Sequence, residues 1–309
     1  SFYFFPVSFT FLPDNVNTKM ILAVIGVALA GYNSIKEERI TIPKGIIIPA
    51  CIAVIFSIIC LISIDINHSD DYSYASYIVS FFVWLGGAYA VCMAIKRVHG
   101  VVDFKLLTYY LAGVCFSQCI LALMIDNIPV LQRLVDSVVR QGQEFLQEVD
   151  RLYGIGASLD PAGVRFSLVL IMIAGLLGND QETRRNNLTI TLLLIAFFTI
   201  AVVGNMISRT TIIGLGCAVV YFVISSGLFK VLIKYDAIKL GVLFAILLFS
   251  AIVISVYLYN SSDAFYNYSR FAFEGFFNWA EKGEWRTSST DKLNREMWIW
   301  PQDQRTWII

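Results

Sequence analysis

The chain has 309 residues, 57% of them hydrophobic and 15% charged, and its mean hydropathy is +0.69. Lys plus Arg and Asp plus Glu stand at 23 each, so net charge names no partner, and nucleic acid is not expected as one. Repeated apolar runs of bilayer length exclude an ordinary soluble domain and indicate an all-α, polytopic transmembrane helical bundle.

Ser1–Asn17 is aromatic and ends in a Pro-Asp-Asn turn, as in the remnant of a span or an outer-face loop. Apolar runs then follow at Lys19–Tyr32, Gly45–Ile64, Ala75–Ile95, Leu106–Ile125, Val164–Leu177, Leu188–Met206, Thr210–Leu228 and Leu240–Leu258. Each approaches the roughly 20 residues that one crossing needs, so about eight spans are expected in a single integral membrane domain, 1–309. The chain begins with Ser and stops in a loop, and is read as a fragment. All six cysteines fall inside apolar runs and lack zinc-ligand spacing, so packing is their expected role.

Basic residues set the orientation. Lys36, Arg39, Lys96, Arg97, Lys105, Arg184, Arg185, Lys230, Lys234 and Lys239 occupy one set of short loops, whereas the other set holds only Lys19 and Arg209. The first set is therefore expected on the cytoplasmic side. Two long loops, Asp126–Gly163 and the truncated Tyr259–Ile309, then lie outside with the hairpin tip Ser208-Arg209-Thr210. An Arg at such a tip needs water, lipid phosphate or a carboxylate.

In the first long loop, Ile128, Leu131, Leu134, Val135, Val138, Phe145, Val149 and Leu152 recur at helical spacing, which predicts an amphipathic helix on the membrane surface. Arg151, Gly154, Gly156, Pro161 and Gly163 follow in a segment that breaks the helix; its arginines either contact headgroups or belong to a site. The last loop interleaves Trp279, Trp285 and many other aromatics with Arg270, Glu274, Glu281, Glu284, Arg286 and Asp291. Phe265–Ala280 reads as a second interfacial helix, and the aromatics as either an interfacial belt or a sugar platform. No Walker motif or metal pair is recognised, His68 with Asp70 and Asp71 reads as a solvated loop, and neither metal nor cofactor is expected. No ionisable residue stands in the middle of a span, which argues against an ion-coupled transporter.

Three segments resemble the O-antigen polymerase/O-antigen ligase family: the hairpin Ser208-Arg209-Thr210, the stretch Arg151-Leu-Tyr-Gly154 with Asp160-Pro161, and the last loop with Phe273–Trp279, Gly283–Arg286 and Thr306–Ile309. The resemblance implies a C-type glycosyltransferase-like bundle in a bacterial inner membrane, with both long loops periplasmic. It implies polymerisation of undecaprenyl-diphosphate-linked repeat units into surface polysaccharide, needing no nucleotide. Transfer to lipid A–core, as by a ligase, is the alternative, and transport a further one. Membrane lipid and a chain-length regulator protein are the other implied partners. Arg209 and Arg151 are the expected catalytic ligands of the diphosphate, because guanidinium binds phosphate oxygens bidentately. Glu274, Glu281, Glu284 and Asp291 are the local candidate bases, Glu274 and Glu281 being put in the catalytic set, although the base can also lie beyond Ile309. Arg165, Ser208, Trp279, Trp285 and Arg286 are the expected substrate-binding residues. The Arg-x10-Gly spacing of some polymerases is not found after Arg151.

Overall fold

The computed structural model describes residues 1–13, 16–39, 43–141, 151–225, 235–298 and 300. The described chain is helical: α1 (Thr18–Lys36), α2 (Lys44–Asn67), α3 (Tyr77–His99), α4 (Phe104–Asn127), α5 (Pro129–Val138), α6 (Leu159–Asn179), α7 (Gln181–Arg185), α8 (Asn187–Ile207), α9 (Thr211–Ser225), α10 (Tyr235–Ser261), α11 (Asp263–Ala272), α12 (Glu274–Lys282) and α13 (Ser288–Lys292), followed by one π turn, Leu293–Met297. Among the described residues, seven helices are long and apolar enough to cross a membrane, namely α1–α4, α6, α8 and α10; α9 is a shorter apolar helix. All eight expected runs coincide with helices, and the remainder of the seventh lies outside the described residues.

The chain divides into two compact units. In the unit holding α1–α3, α1 packs tightly on α3 through paired glycines. A Cβ at Gly26 would stand 1.9 Å from the Gly86 carbonyl oxygen, so only hydrogen fits there. Asn33 Nδ2 donates to Tyr89 Oη across the same pair at 2.9 Å. Ser57 on α2 accepts the backbone N–H of Ile78 at 3.0 Å, satisfying a donor at the start of α3.

The larger unit contains 3–13 and the described parts of 103–287. Its centre is α6 with α8: 56% of the apolar window of α6 and 67% of that of α8 are buried, against 6% for α10. Phe166, Leu170, Ile173 and Leu177 repeat at helical spacing along one face of α6 and are fully buried. They meet Ile190, Leu194 and Ile200 of α8 in the same core. On another side, α6 packs closely on α9, where a Cβ at Gly214 would lie 2.2 Å from Ser167 Cα. In hydrocarbon this closeness matters, since helix association there rests on packing rather than on escape from water.

The two helices expected on the outer face both differ from expectation. The helix expected from Ile128 ends at Val138, where the chain turns extended and Val139 pairs antiparallel with Phe9. Arg140 N–H donates to Ser8 O at 2.8 Å and Thr10 N–H to Val138 O at 2.9 Å. Backbone donors that a further helical turn would satisfy are thus met by the N-terminal segment. The expected positions Phe145 and Val149 lie outside the described residues. Phe265–Ala280 is not one helix but two, α11 and α12, broken at Phe273 (φ −115, ψ 29).

Candidate functional site

The hairpin between α8 and α9 is pinned from below. Ser208 leaves the helix in extended backbone (φ −153, ψ 126), and the Thr211 hydroxyl donates back to Gly204 O at 3.1 Å. The Ser208 and Thr210 hydroxyls both donate to Asp160 Oδ1, at 3.4 and 3.1 Å, from the first turn of α6. Ser208 is itself buried against Gly163, so it supports the tip rather than facing solvent. Arg209, held between these anchors, reaches the junction of α11 and α12. Its Nη1 lies 2.5 Å from Glu274 Oε2, and its guanidinium carbon lies 4.0 Å from the centroid of Phe271.

Arg151 approaches the same ring from a different segment, its guanidinium carbon 4.6 Å from the Phe271 centroid. The strand of chain after it is clamped by Gln118, a buried amide on α4. Gln118 Nε2 donates to Ile155 O and its Oε1 accepts the Ile155 N–H, both at 3.0 Å. Tyr153 Oη donates to the Asp136 carboxylate at 3.1 Å, and Gly154 N–H to Ala157 O at 2.8 Å. Gly156 has φ +69, and a Cβ there would meet Pro6 O at 2.6 Å, so glycine alone fits the turn. Tyr268 Oη, donating to Asp126 at 2.5 Å, ties α11 to the end of α4 and so fixes the Phe271 side of the cluster.

Two guanidiniums thus share one aromatic ring. Their centres lie within 4.0 and 4.6 Å of a single centroid; at a separation of about 9 Å or less and an effective dielectric near 20, their repulsion costs about 2 kcal/mol or more. Stacking on the ring face offsets part of that, at about 0.5–2 kcal/mol for each cation. Burial, chiefly, holds the Arg209 guanidinium below its ordinary value; Arg151 adds to the effect and Glu274 opposes it. Arg209 still carries its charge at neutral pH, as arginine does throughout proteins. Arg151 makes no ion pair among the described residues, and its Nε is buried without a hydrogen-bond partner. A buried charged donor left in this way calls for an anion.

The other expected site residues are placed elsewhere. Arg165 lies over Phe5, its guanidinium carbon 5.5 Å from that centroid. Glu281 is gripped in bidentate fashion by Arg270, the second contact being 3.0 Å, and Arg270 lies 4.6 Å over Phe277. This pair joins α11 to α12. Trp279 is exposed. Trp285 meets Phe276 edge-on at 4.7 Å and packs on Gly275, and the Arg286 carbonyl accepts from Asn278 Nδ2 at 2.7 Å. The segment after α12 therefore folds back on that helix. Arg209, Arg151 and Glu274 come together; among the described residues, the contacts given for Glu281, Arg165 and Trp285 lie elsewhere, and the Arg286 backbone binds Asn278.

Three residues of the cluster escaped sequence reasoning: Phe271, Asp160 as a partner of the hairpin, and Gln118. Gln118 did leave a signal, since an amide in an otherwise apolar run needs partners for its donors and acceptor. No family model, curated protein or solved structure matches this chain.

Proposed function

We propose that this chain is a membrane glycosyltransferase that extends a lipid-diphosphate-linked glycan at the Arg209 end of its bundle. The observation that carries this reading is the meeting of Arg151 and Arg209 on Phe271, with the Arg151 Nε buried and unmatched. Two planar cations that repel each other in the resting protein become favourable neighbours once a diphosphate lies between them. The charge that develops on a departing lipid diphosphate is what such preorganised donors stabilise in the transition state.

In the reaction proposed, an acceptor sugar hydroxyl attacks the anomeric carbon of the lipid-linked donor. The new glycosidic bond forms as the bond to the diphosphate oxygen breaks, and the lipid diphosphate leaves with the electron pair. The hydroxyl proton passes to a carboxylate. Glu274, ion-paired to Arg209, is poorly suited to accept it; Asp160 sits at the same hairpin with hydroxyls rather than a cation as its partners. We assign the base to Asp160 and the positioning of Arg209 to Glu274.

A lipid substrate also needs room for its chain. An apolar cleft of about 500 Å³ lies between α8, α9 and α10, bounded at membrane depth by Phe198, Phe244 and Leu248. At its other end are Ser269 and Phe273, which flank Phe271 in sequence, Phe273 being next to Glu274. This continuity supports a substrate with an anionic head and a long apolar tail.

The test replaces Arg209 or Arg151 by Lys in the full chain, in cells that supply the lipid-linked repeat unit. Each substitution keeps a positive charge but loses the bidentate fork. Polymer should fall by about 100-fold or more, the size expected for losing one preorganised donor, while membrane levels of the protein hold. A normal polysaccharide ladder from both variants would refute the proposal.

A further inference from the structure

We infer that the opposite, basic end of the larger unit holds a structural binding site for one phospholipid with an ethanolamine headgroup. Helices α4 and α8 do not close on each other along their full length. Ala112, Gly113 and Phe116 face Leu192, Leu193 and Ala196 across a groove of about 380 Å³, almost wholly apolar. A Cβ at Gly113 would meet nothing within 4 Å, so the space is not claimed by the protein itself. Tyr109 and Thr189 bound this groove and also bound a second, polar pocket of about 760 Å³. The apolar slot and the polar mouth therefore adjoin at Tyr109 and Thr189, in the order of an amphiphile's tail and head.

The polar mouth has charges of both signs. Lys105 Nζ is already engaged, 3.2 Å from Asp180 and 2.7 Å from Glu182. Glu182 nevertheless remains 85% exposed, with its second carboxylate oxygen open to a further donor. Arg185 lines the same pocket and makes no ion pair among the described residues. The mouth thus offers one carboxylate acceptor and one unclaimed guanidinium, which complements an ammonium and a phosphate on one headgroup. A glycerol headgroup has no cation to offer Glu182. A choline headgroup has no N–H to donate. Ethanolamine satisfies both sides, and the Lys and Arg distribution puts this end in the cytoplasmic leaflet, where such a lipid is delivered by the bilayer itself.

The test is native mass spectrometry of the full chain, equilibrated with phosphatidylethanolamine, phosphatidylglycerol and phosphatidylcholine of identical acyl chains. One ethanolamine lipid per chain should survive washing, at about tenfold over the other two, the ratio that one charge-assisted contact gives. Gly113→Phe sends a ring into the slot from a Cβ position with nothing within 4 Å, and Arg185→Gln removes the guanidinium from an exposed position. Each should cut retention about tenfold, while the melting temperature measured without added lipid stays at the parent value. Glycerophosphoethanolamine, which has the headgroup but no acyl chains, should fail to compete. Equal retention of the three lipids, a preference for phosphatidylglycerol, competition by the chainless headgroup, or retention that survives either variant would overturn the inference.

Discussion

Gln118→Leu separates the two jobs of the α4 helix, spanning and holding the Arg151 loop. Gln118 is 3% exposed and makes two hydrogen bonds of 3.0 Å to the backbone of one residue, Ile155. Leucine fills nearly the same volume and suits the span, so packing is kept while both bonds vanish. Each bond contributes about 1 kcal/mol net, and a backbone group left unsatisfied in a buried place costs about 1–3 kcal/mol. Ile155 is partly exposed and water meets part of its need, so we expect about 2–4 kcal/mol. That loss falls on the loop rather than on the bundle, because among the described residues the Gln118 side chain hydrogen-bonds to Ile155 alone. At the lower figure the open form of the loop gains about 30-fold in population. Hydrogen exchange on the reconstituted protein should show it: the Ile155 amide should exchange about 30-fold faster, with amides inside α6 unchanged. On the function proposed above, glycan transfer should fall with it, since Arg151 lies at the start of the same stretch. Ile155 exchange within about threefold of the parent rate would refute the clamp and with it the role given to Gln118.

Two further outcomes follow from the packing and the pH response. Gly214→Val places a side chain 2.2 Å from the Ser167 backbone and should force α6 and α9 apart, at a cost of about 3 kcal/mol or more. Gly216→Val on the same helix meets nothing within 4 Å and should leave the melting temperature near that of the parent, so equal melting of the two variants would sink the close-packing account. The Glu281 carboxyl is held below its ordinary 4.5, chiefly by the hydrogen bond from Arg270. A depressed carboxylate stabilises the fold above that ordinary value, and its contribution is lost as pH falls through the depressed one. Limited proteolysis between α11 and α12 should therefore accelerate as pH falls below that ordinary value, and Glu281→Gln should cleave at the faster rate already at pH 7. A variant with the parent's pH profile would show that the pair does not hold these helices.

The spans were legible because each run carries its own signal: length, apolarity and basic flanks. Arg209 was legible for a related reason, as the Lys and Arg count leaves only Lys19 beside it in its set of short loops. What sequence could not supply was long-range pairing. The end of α5 at Val138 depends on a backbone partner, Phe9, about 130 residues away in the chain. The break at Phe273 reflects two different anchors, since Tyr268 on α11 holds Asp126 while Glu274 on α12 holds Arg209. Glu274, Glu281, Glu284 and Asp291 look alike in sequence, and only the fold separates the first, beside Arg209, from the second, gripped by Arg270. Phe271 was one aromatic among many in its loop, and nothing local marks it as the ring on which both arginines rest.

The way the cluster is held also explains why it is spread over three separate segments. A single helix cannot bring two arginines and a facing ring together without crowding its own surface, and like charges at neighbouring helical positions destabilise it. Here each group arrives on its own support. Arg209 rides on a hairpin pinned by Asp160, Arg151 on a loop clamped by Gln118, and Phe271 with Glu274 on helices tied to the end of α4. The repulsion between the arginines is then borne by tertiary anchors, each worth about 1–3 kcal/mol, rather than by any one element. Glu274 answers the charge of Arg209 and lets the site form without a ligand, while Arg151 keeps a buried donor unmatched. An arrangement that is neutralised on one side and open on the other favours an anion able to bridge both guanidiniums. Glu274 also keeps Arg209 in place, so that on the proposed function little reorganisation is left for the reacting complex.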